Sequence, residues 1–202
     1  MIQTVSEKVL NWMIRNDVVS KEDSTIYLFG IHQGIMSILN IITTLIIASV
    51  MGTLLEGVVF ILCYMPLRSF AGGYHARTER RCYILSACLT LFVMALCKVV
   101  VMNWVLIVVF IIAFLIIWFV APVEDSNKPM VEIERIVYSK RCKQLIVAEL
   151  LAMIIVVVFD WYRIAKMICV AAIALGIIVI LGAIRNGILQ RQVRGSANDS
   201  CS

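Results

Sequence analysis

Charge is scarce in this chain. Only 15% of its 202 residues are Asp, Glu, Lys or Arg, against 62% apolar, with a mean hydropathy of +0.97. A water-soluble domain of that composition lacks the polar surface to cover itself. Histidine occurs twice, at positions 32 and 75. No GxxxxGK[ST] phosphate loop is present, so the chain does not run on its own nucleotide hydrolysis. Seven cysteines include no CxxC pair, and a reducing cytoplasm argues against structural disulfides. There is no repeat of 20–50 residues and no low-complexity tract. The first 17 residues lack a continuous apolar core and carry Glu7, Lys8, Arg15 and Asp17, unlike a cleaved signal peptide.

What is present is a series of apolar runs at 30–49, 54–67, 84–96, 99–120, 145–159 and 164–184. A membrane-crossing helix needs about 17 to 25 apolar residues, so these runs predict an all-α integral membrane protein with about six transmembrane helices in a single polytopic domain. The second, third and fifth runs are short, which keeps a four-pass arrangement open. With both termini cytoplasmic, fifteen of the 18 Lys and Arg fall inside and only Lys98, Arg163 and Lys166 fall outside, the asymmetry of the positive-inside rule. The net charge of +5 is then mainly topological, and nucleic acid is not an expected partner.

Val5, Val9, Trp12 and Met13 recur at helical spacing, predicting an amphipathic interfacial helix within residues 1–28 that lies on the bilayer or binds a partner. Residues 194–202, rich in Ser, Gly and Asn, are expected to be a disordered tail. Cys63, Cys88, Cys97 and Cys169 sit in apolar runs, where cysteine acts as a small hydrophobe, and Cys142 and Cys201 fall in cytoplasmic segments. Gly176 and Gly182 suit close helix packing. Glu56 and Glu149 lie near the ends of their runs and are expected to reach the outer and inner surfaces.

Residues 68–82 form a polar island between two apolar runs. A thiol nucleophile needs a base for its proton and positive surroundings for its thiolate. The island offers His75, Cys82 and the arginines 68, 77, 80 and 81. Cys82 opens the third run directly after Arg80 and Arg81, so the positive end of a helix dipole would act on its sulfur as well. In one continuous helix His75 and Cys82 would stand about 10.5 Å apart along the axis, too far for proton transfer, so the chain must turn between them. Gly72 and Gly73 supply the flexible backbone, and their N–H groups are candidates for an oxyanion site. Spacing alone also fits a polar interfacial linker. A zinc site from His75, Cys82, His32 and Cys63 lacks the close paired spacing of structural zinc sites, and no metal or cofactor is expected.

The run Arg68-Ser69-Phe70-Ala71-Gly72-Gly73-Tyr74-His75-Ala76, with Cys82 seven residues after the histidine, resembles the signature of the accessory gene regulator B family. Residues 121–129, Ala-Pro-Val-Glu-Asp-Ser-Asn-Lys-Pro, resemble its second hallmark, in the matching order. The resemblance implies a membrane cysteine endopeptidase of a Gram-positive bacterium, acting in peptide quorum sensing. His75 and Cys82 fall on its catalytic positions. Cys82 would cleave a propeptide of the accessory gene regulator D type, releasing its acidic tail and leaving a thioester that an internal cysteine or serine displaces to close a thiolactone or lactone.

If that tail is acidic, Arg68, Arg77, Arg80 and Arg81 can hold its carboxylates, or they fix topology only. Glu79, Glu124 and Asp125 are the candidates for orienting His75. Pro122 and Pro129 disfavour helix, so the 121–143 segment is expected to begin as an ordered loop and continue as a helix from residue 131. Two other classes stay open: a peptide transporter or export accessory, and a structural or sensory subunit. A homodimer is expected from prevalence alone.

Overall fold

The computed structural model describes residues 2–74, 78–124 and 131–199, with side chains described as far as 188. Within them the chain forms α1 (Ile2–Arg15), α2 (Ser24–Val50), α3 (Leu54–Ala71), α4 (Glu79–Val99), α5 (Trp104–Val120), α6 (Glu132–Val158) and α7 (Tyr162–Asp199). Helix is the expected outcome where water is excluded, because it satisfies every backbone donor within the segment. Local side chains mark several starts. Thr78 Oγ1 accepts from the N–H of Arg81 at 3.4 Å and Asn103 Oδ1 from that of Leu106 at 2.9 Å, the cap that leaves fewer orphan donors in a first turn. At α6 the Glu134 carboxylate reaches back to the N–H of Val131 at 3.4 Å.

Each predicted apolar run becomes a helix. Four of them, α2, α3, α4 and α7, are long and apolar enough to cross a membrane; α5 is an apolar helix of 17 residues. The fifth run is the second half of α6, whose first half carries the charges. The fourth run is shorter than expected, because residues 100–103 leave the helix before Asn103 caps α5. At the other end of the chain α7 continues as helix through Asp199, past position 194 where a disordered tail was expected. Extending a formed helix costs far less than starting one, so the polar residues of 194–199 follow the helix before them.

One end of the bundle gathers the turns at 51–53, 100–103 and 159–161. The other gathers residues 72–74 and 121–124 with the 178–186 stretch of α7. The most buried span is α7; α2, α3 and α4 keep most of their surface outward. It packs against α3, α4, α5 and α6, and Gly176 lets it approach Ala113 of α5 closely. Met167, Val170 and Ala171 join a core with Ala48, Phe60 and Met94. Leu175 and Val179 join a second with Leu67, Ile117, Val123 and Ile146.

Against α2, α1 buries Ser6 and Leu10, while Val5, Val9 and Trp12 stay exposed, so its apolar stripe faces away from the protein as an interfacial helix requires. Neither intramembrane carboxylate reaches a surface. Glu56 is buried because the α2–α3 turn packs Gly57 onto Ala48, and it accepts from Arg163 at 2.7 and 3.0 Å. Glu149 lies inside because α6 begins well before the apolar run, at Glu132, which puts position 149 in the middle of a long helix. Its Oε2 is buried with no hydrogen-bond partner among the described residues.

Candidate active site

Between α3 and α4 the chain turns at Gly72 (φ 67°) and Gly73 (φ 113°), conformations glycine adopts without a Cβ penalty. Three elements hold the turn. Val123 donates its N–H to Ala71 O at 2.9 Å and accepts from Gly73 N–H at 3.3 Å, a one-residue parallel bridge. Tyr74 donates its N–H to Ile178 O of α7 at 3.2 Å. From the last turn of α3, Arg68 donates to the carbonyls of Gly72 and, at 2.7 Å, of Tyr74. Outside this contact the Arg185 guanidinium stands 5.1 Å from the centre of the Tyr74 ring, and Asn186 Nδ2 donates to Glu124 O at 2.7 Å.

The seat on α7 exists because Gly182 is bare. A Cβ there would lie 2.5 Å from the carbonyl carbon of Gly73 and 2.6 Å from the nitrogen of Tyr74, distances at which one of the two must move.

These contacts revise two expectations. The N–H groups of Gly72 and Gly73 are engaged with Arg68 O and Val123 O, so the glycines shape the loop and do not offer donors to an oxyanion. The Arg68 guanidinium grips its own loop's carbonyls, and its side chain also hydrogen-bonds that of Tyr64. It braces the turn, a role that the tail-binding expectation did not include.

Cys82 closes the first turn of α4, its N–H donating to Thr78 O at 3.0 Å. Its side chain is half-buried, and Tyr64 of α3 lies within electrostatic reach of it. Two contacts with α2 flank the cysteine. Three residues before it, Glu79 pairs with His32 Nε2 at 3.1 Å; one residue after it, the Tyr83 hydroxyl meets Thr43 Oγ1 at 2.6 Å. Nδ1 of the same His32 faces Ser6 Oγ of α1 at 3.5 Å. Glu79 is therefore engaged by His32. Arg80 and Arg81 are exposed beside the first turn of α4. His75, Arg77 and Asp125 lie outside the described residues.

Of the other thiols, Cys88 is exposed, Cys142 is buried in an apolar core although its segment was expected to be cytoplasmic, and Cys201 lies outside the described residues. Cys97 and Cys169 are buried in the apolar cores, and Cys63 packs against them. Cys142 lies just ahead of the apolar run of α6, where burial, reinforced by the Glu149 charge, pushes its thiol up to about 11. Sequence reasoning did not find Tyr64, Thr43, Tyr83, Ile178 or Asn186, and placed His32 only in a rejected metal site. None of them falls in a motif, and their contacts cross between helices far apart in sequence.

Comparison with known proteins adds an independent line. The profile of the accessory gene regulator B family matches residues 6–184. AgrB-like protein 2 of Clostridium perfringens strain 13 is 27% identical over 138 residues, and an AgrB-like protein of C. perfringens strain SM101 is 25% identical over 138 residues. In both cases the match covers 64% of this chain, and the chain spans 64% of the relative's length. No solved structure matches at a significant level. With its several membrane-length apolar helices and a family match over most of its length, the chain belongs to the accessory gene regulator B family.

Proposed function

We propose that this protein is a membrane-embedded cysteine endopeptidase that trims and activates the propeptide of a cyclic signal, with Cys82 as nucleophile and His75 as its base. The observation that carries the reading is the fixed backbone at residues 72–74, held by α3, α7 and the segment after α5 at the same end of the bundle as the capped start of α4. Such a frame gives the residue that follows Tyr74 a defined starting point, which proton transfer over hydrogen-bond distance requires.

In the reaction, His75 takes the thiol proton as the Cys82 sulfur attacks the scissile carbonyl carbon. The carbon–nitrogen bond breaks, the proton passes to the leaving amine of the tail, and a thioester joins the remaining peptide to Cys82. A thiol or hydroxyl within that peptide then attacks the thioester carbonyl, and Cys82 leaves as thiolate. Arg77, Arg80 and Arg81 hold the acidic tail. Both termini and the two loops face the cytoplasm, following the distribution of Lys and Arg.

The test is co-expression with a propeptide of the accessory gene regulator D type and mass analysis of the products. Loss of the tail with the wild-type chain, absent with Cys82→Ala and His75→Ala variants that accumulate normally in the membrane, is the expected result. Cleavage by Cys82→Ala overturns the reading and leaves a transporter or export accessory.

A further inference from the structure

A cleft of about 920 Å³ opens between the last turn of α5, the Ala121–Pro122 step and the first half of α6. It exists because α5 packs mainly on α7 and only sparsely on α6. Neither Cys82 nor Arg68 lines it. Among the described residues its charged groups are Arg135, Lys140 and Lys143, and no described carboxylate lines it.

The polarity of the cleft is ordered along the bundle. On α6 all three cations of the lining come before Gln144, with Ile136 and Ser139 set between Arg135 and Lys140, and Val147 follows. Arg135 to Lys143 covers about 12 Å of helix, and Val147 lies about 6 Å further toward the bundle centre. The facing wall is Trp118, Phe119 and Val120 of α5, continued by Ala121 and Pro122. The 17 residues of α5 extend about 26 Å, slightly less than the ~30 Å hydrocarbon thickness, so Trp118 ends at the hydrocarbon boundary, the depth this side chain favours. Lys143 Nζ stands 5.3 Å from the centre of that indole, which holds an ammonium at the same level.

Phe119 is 77% exposed, so the apolar wall opens sideways to where lipid chains lie. Positive, then neutral, then apolar is the order of a phospholipid read from phosphate to acyl chain, and basic pockets between helices are a recurring seat for anionic headgroups. An acidic peptide would use the cations and leave the apolar wall without a partner. We propose that this cleft is a binding site for an anionic phospholipid, with the phosphate on Arg135, Lys140 and Lys143 and one acyl chain along Trp118, Phe119 and Val147.

The test uses a full-length protein in which Trp12, Trp104 and Trp161 are replaced by Phe, so that Trp118 alone reports. It is reconstituted in vesicles containing brominated phosphatidylglycerol or brominated phosphatidylcholine. The expected result is quenching of Trp118 by the anionic lipid at about tenfold lower mole fraction, with the preference lost in a Lys140→Gln/Lys143→Gln variant. Equal quenching by the two lipids, or a preference that survives the double substitution, overturns the proposal. Relief of quenching by inorganic phosphate would identify a free-phosphate site, and relief by a Glu-rich peptide an acidic-peptide site; either overturns the lipid assignment. Native mass spectrometry of the chain with all four tryptophans retained gives a second measurement, in which phosphatidylglycerol co-purifies several-fold more with wild type than with the Lys140→Gln/Lys143→Gln variant. Equal retention counts against the site.

Discussion

His32 Nε2 of α2 lies 3.1 Å from Glu79 Oε1 in the first turn of α4, three residues ahead of Cys82. The Glu79 side chain is 60% exposed, so the pair contributes only about 0.2–1 kcal/mol to stability, and its value is in placing the start of α4. Replacing His32 by Ala or Glu79 by Gln is expected to slow propeptide cleavage several-fold with little loss of thermal stability. Because both changes break one contact, the double variant is expected to be no slower than either single variant. Additive losses in a double-mutant cycle would show that the two side chains act separately.

Arg68 holds two carbonyls of the loop from two separate nitrogens of one planar guanidinium, a fixed fork that the single nitrogen of an ammonium does not reproduce. Arg68→Lys is therefore expected to lower kcat by about tenfold or more with KM nearly unchanged. Arg80→Gln and Arg81→Gln, at exposed positions, are expected to raise KM instead. A KM effect for Arg68→Lys would return that side chain to the role of tail binder.

Gly182→Ala places a methyl group where Gly73 and Tyr74 cross α7. The loop must lift away from Ile178, and processing is expected to fall by about 100-fold, since small misplacements of reacting groups cost that much. Gly187→Ala, on the same helix with nothing within 4 Å of its Cβ, serves as the control and is expected to process normally. Equal activity in the two variants would remove α7 from the site.

Arg163 pairs with the buried Glu56 carboxylate at 2.7 Å. Arg163→Ala strands that charge and is expected to destabilise the protein by about 1–3 kcal/mol, and adding Glu56→Leu is expected to recover most of the loss. Thermal unfolding in detergent of the wild type and the two variants decides this. No recovery would mean that Arg163 acts through other contacts.

Alkaline pH separates Cys142 from an ordinary thiol. Its folded value, about 11, lies above the reference of 9.0, so the folded state keeps the proton after the unfolded chain has begun to lose it. The associated stability is full below pH about 9 and disappears as pH rises toward about 11. Wild type is expected to lose more stability across that interval than Cys142→Ala, and Cys142 is expected to resist maleimide at pH 7.5. Equal alkaline slopes for the two proteins would contradict the burial argument.

What could be read in advance was whatever neighbouring residues decide. Apolar runs gave the helices, Gly72-Gly73 gave the turn, and Thr78 to Cys82 gave a helix start carrying a cysteine in its first turn. Contacts that depend on how helices rotate against one another left no trace in local pattern. An arginine at a membrane edge looks the same whether it grips its own loop or a foreign carboxylate, so Arg68 was read as a binding residue. Glu149 seemed close to a surface because its apolar run starts nearby, yet the helix starts thirteen residues before that run, at Glu132. Ile178 and Gly182 lie a hundred residues from the loop they support, inside a run that reads only as span.

The carbonyl that receives Tyr74 belongs to α7, about a hundred residues further along the chain. During synthesis Cys82 therefore emerges well before the turn ahead of it has a place to dock. Any chemistry that depends on that turn begins only once α7 is inserted, so the order of synthesis itself delays it.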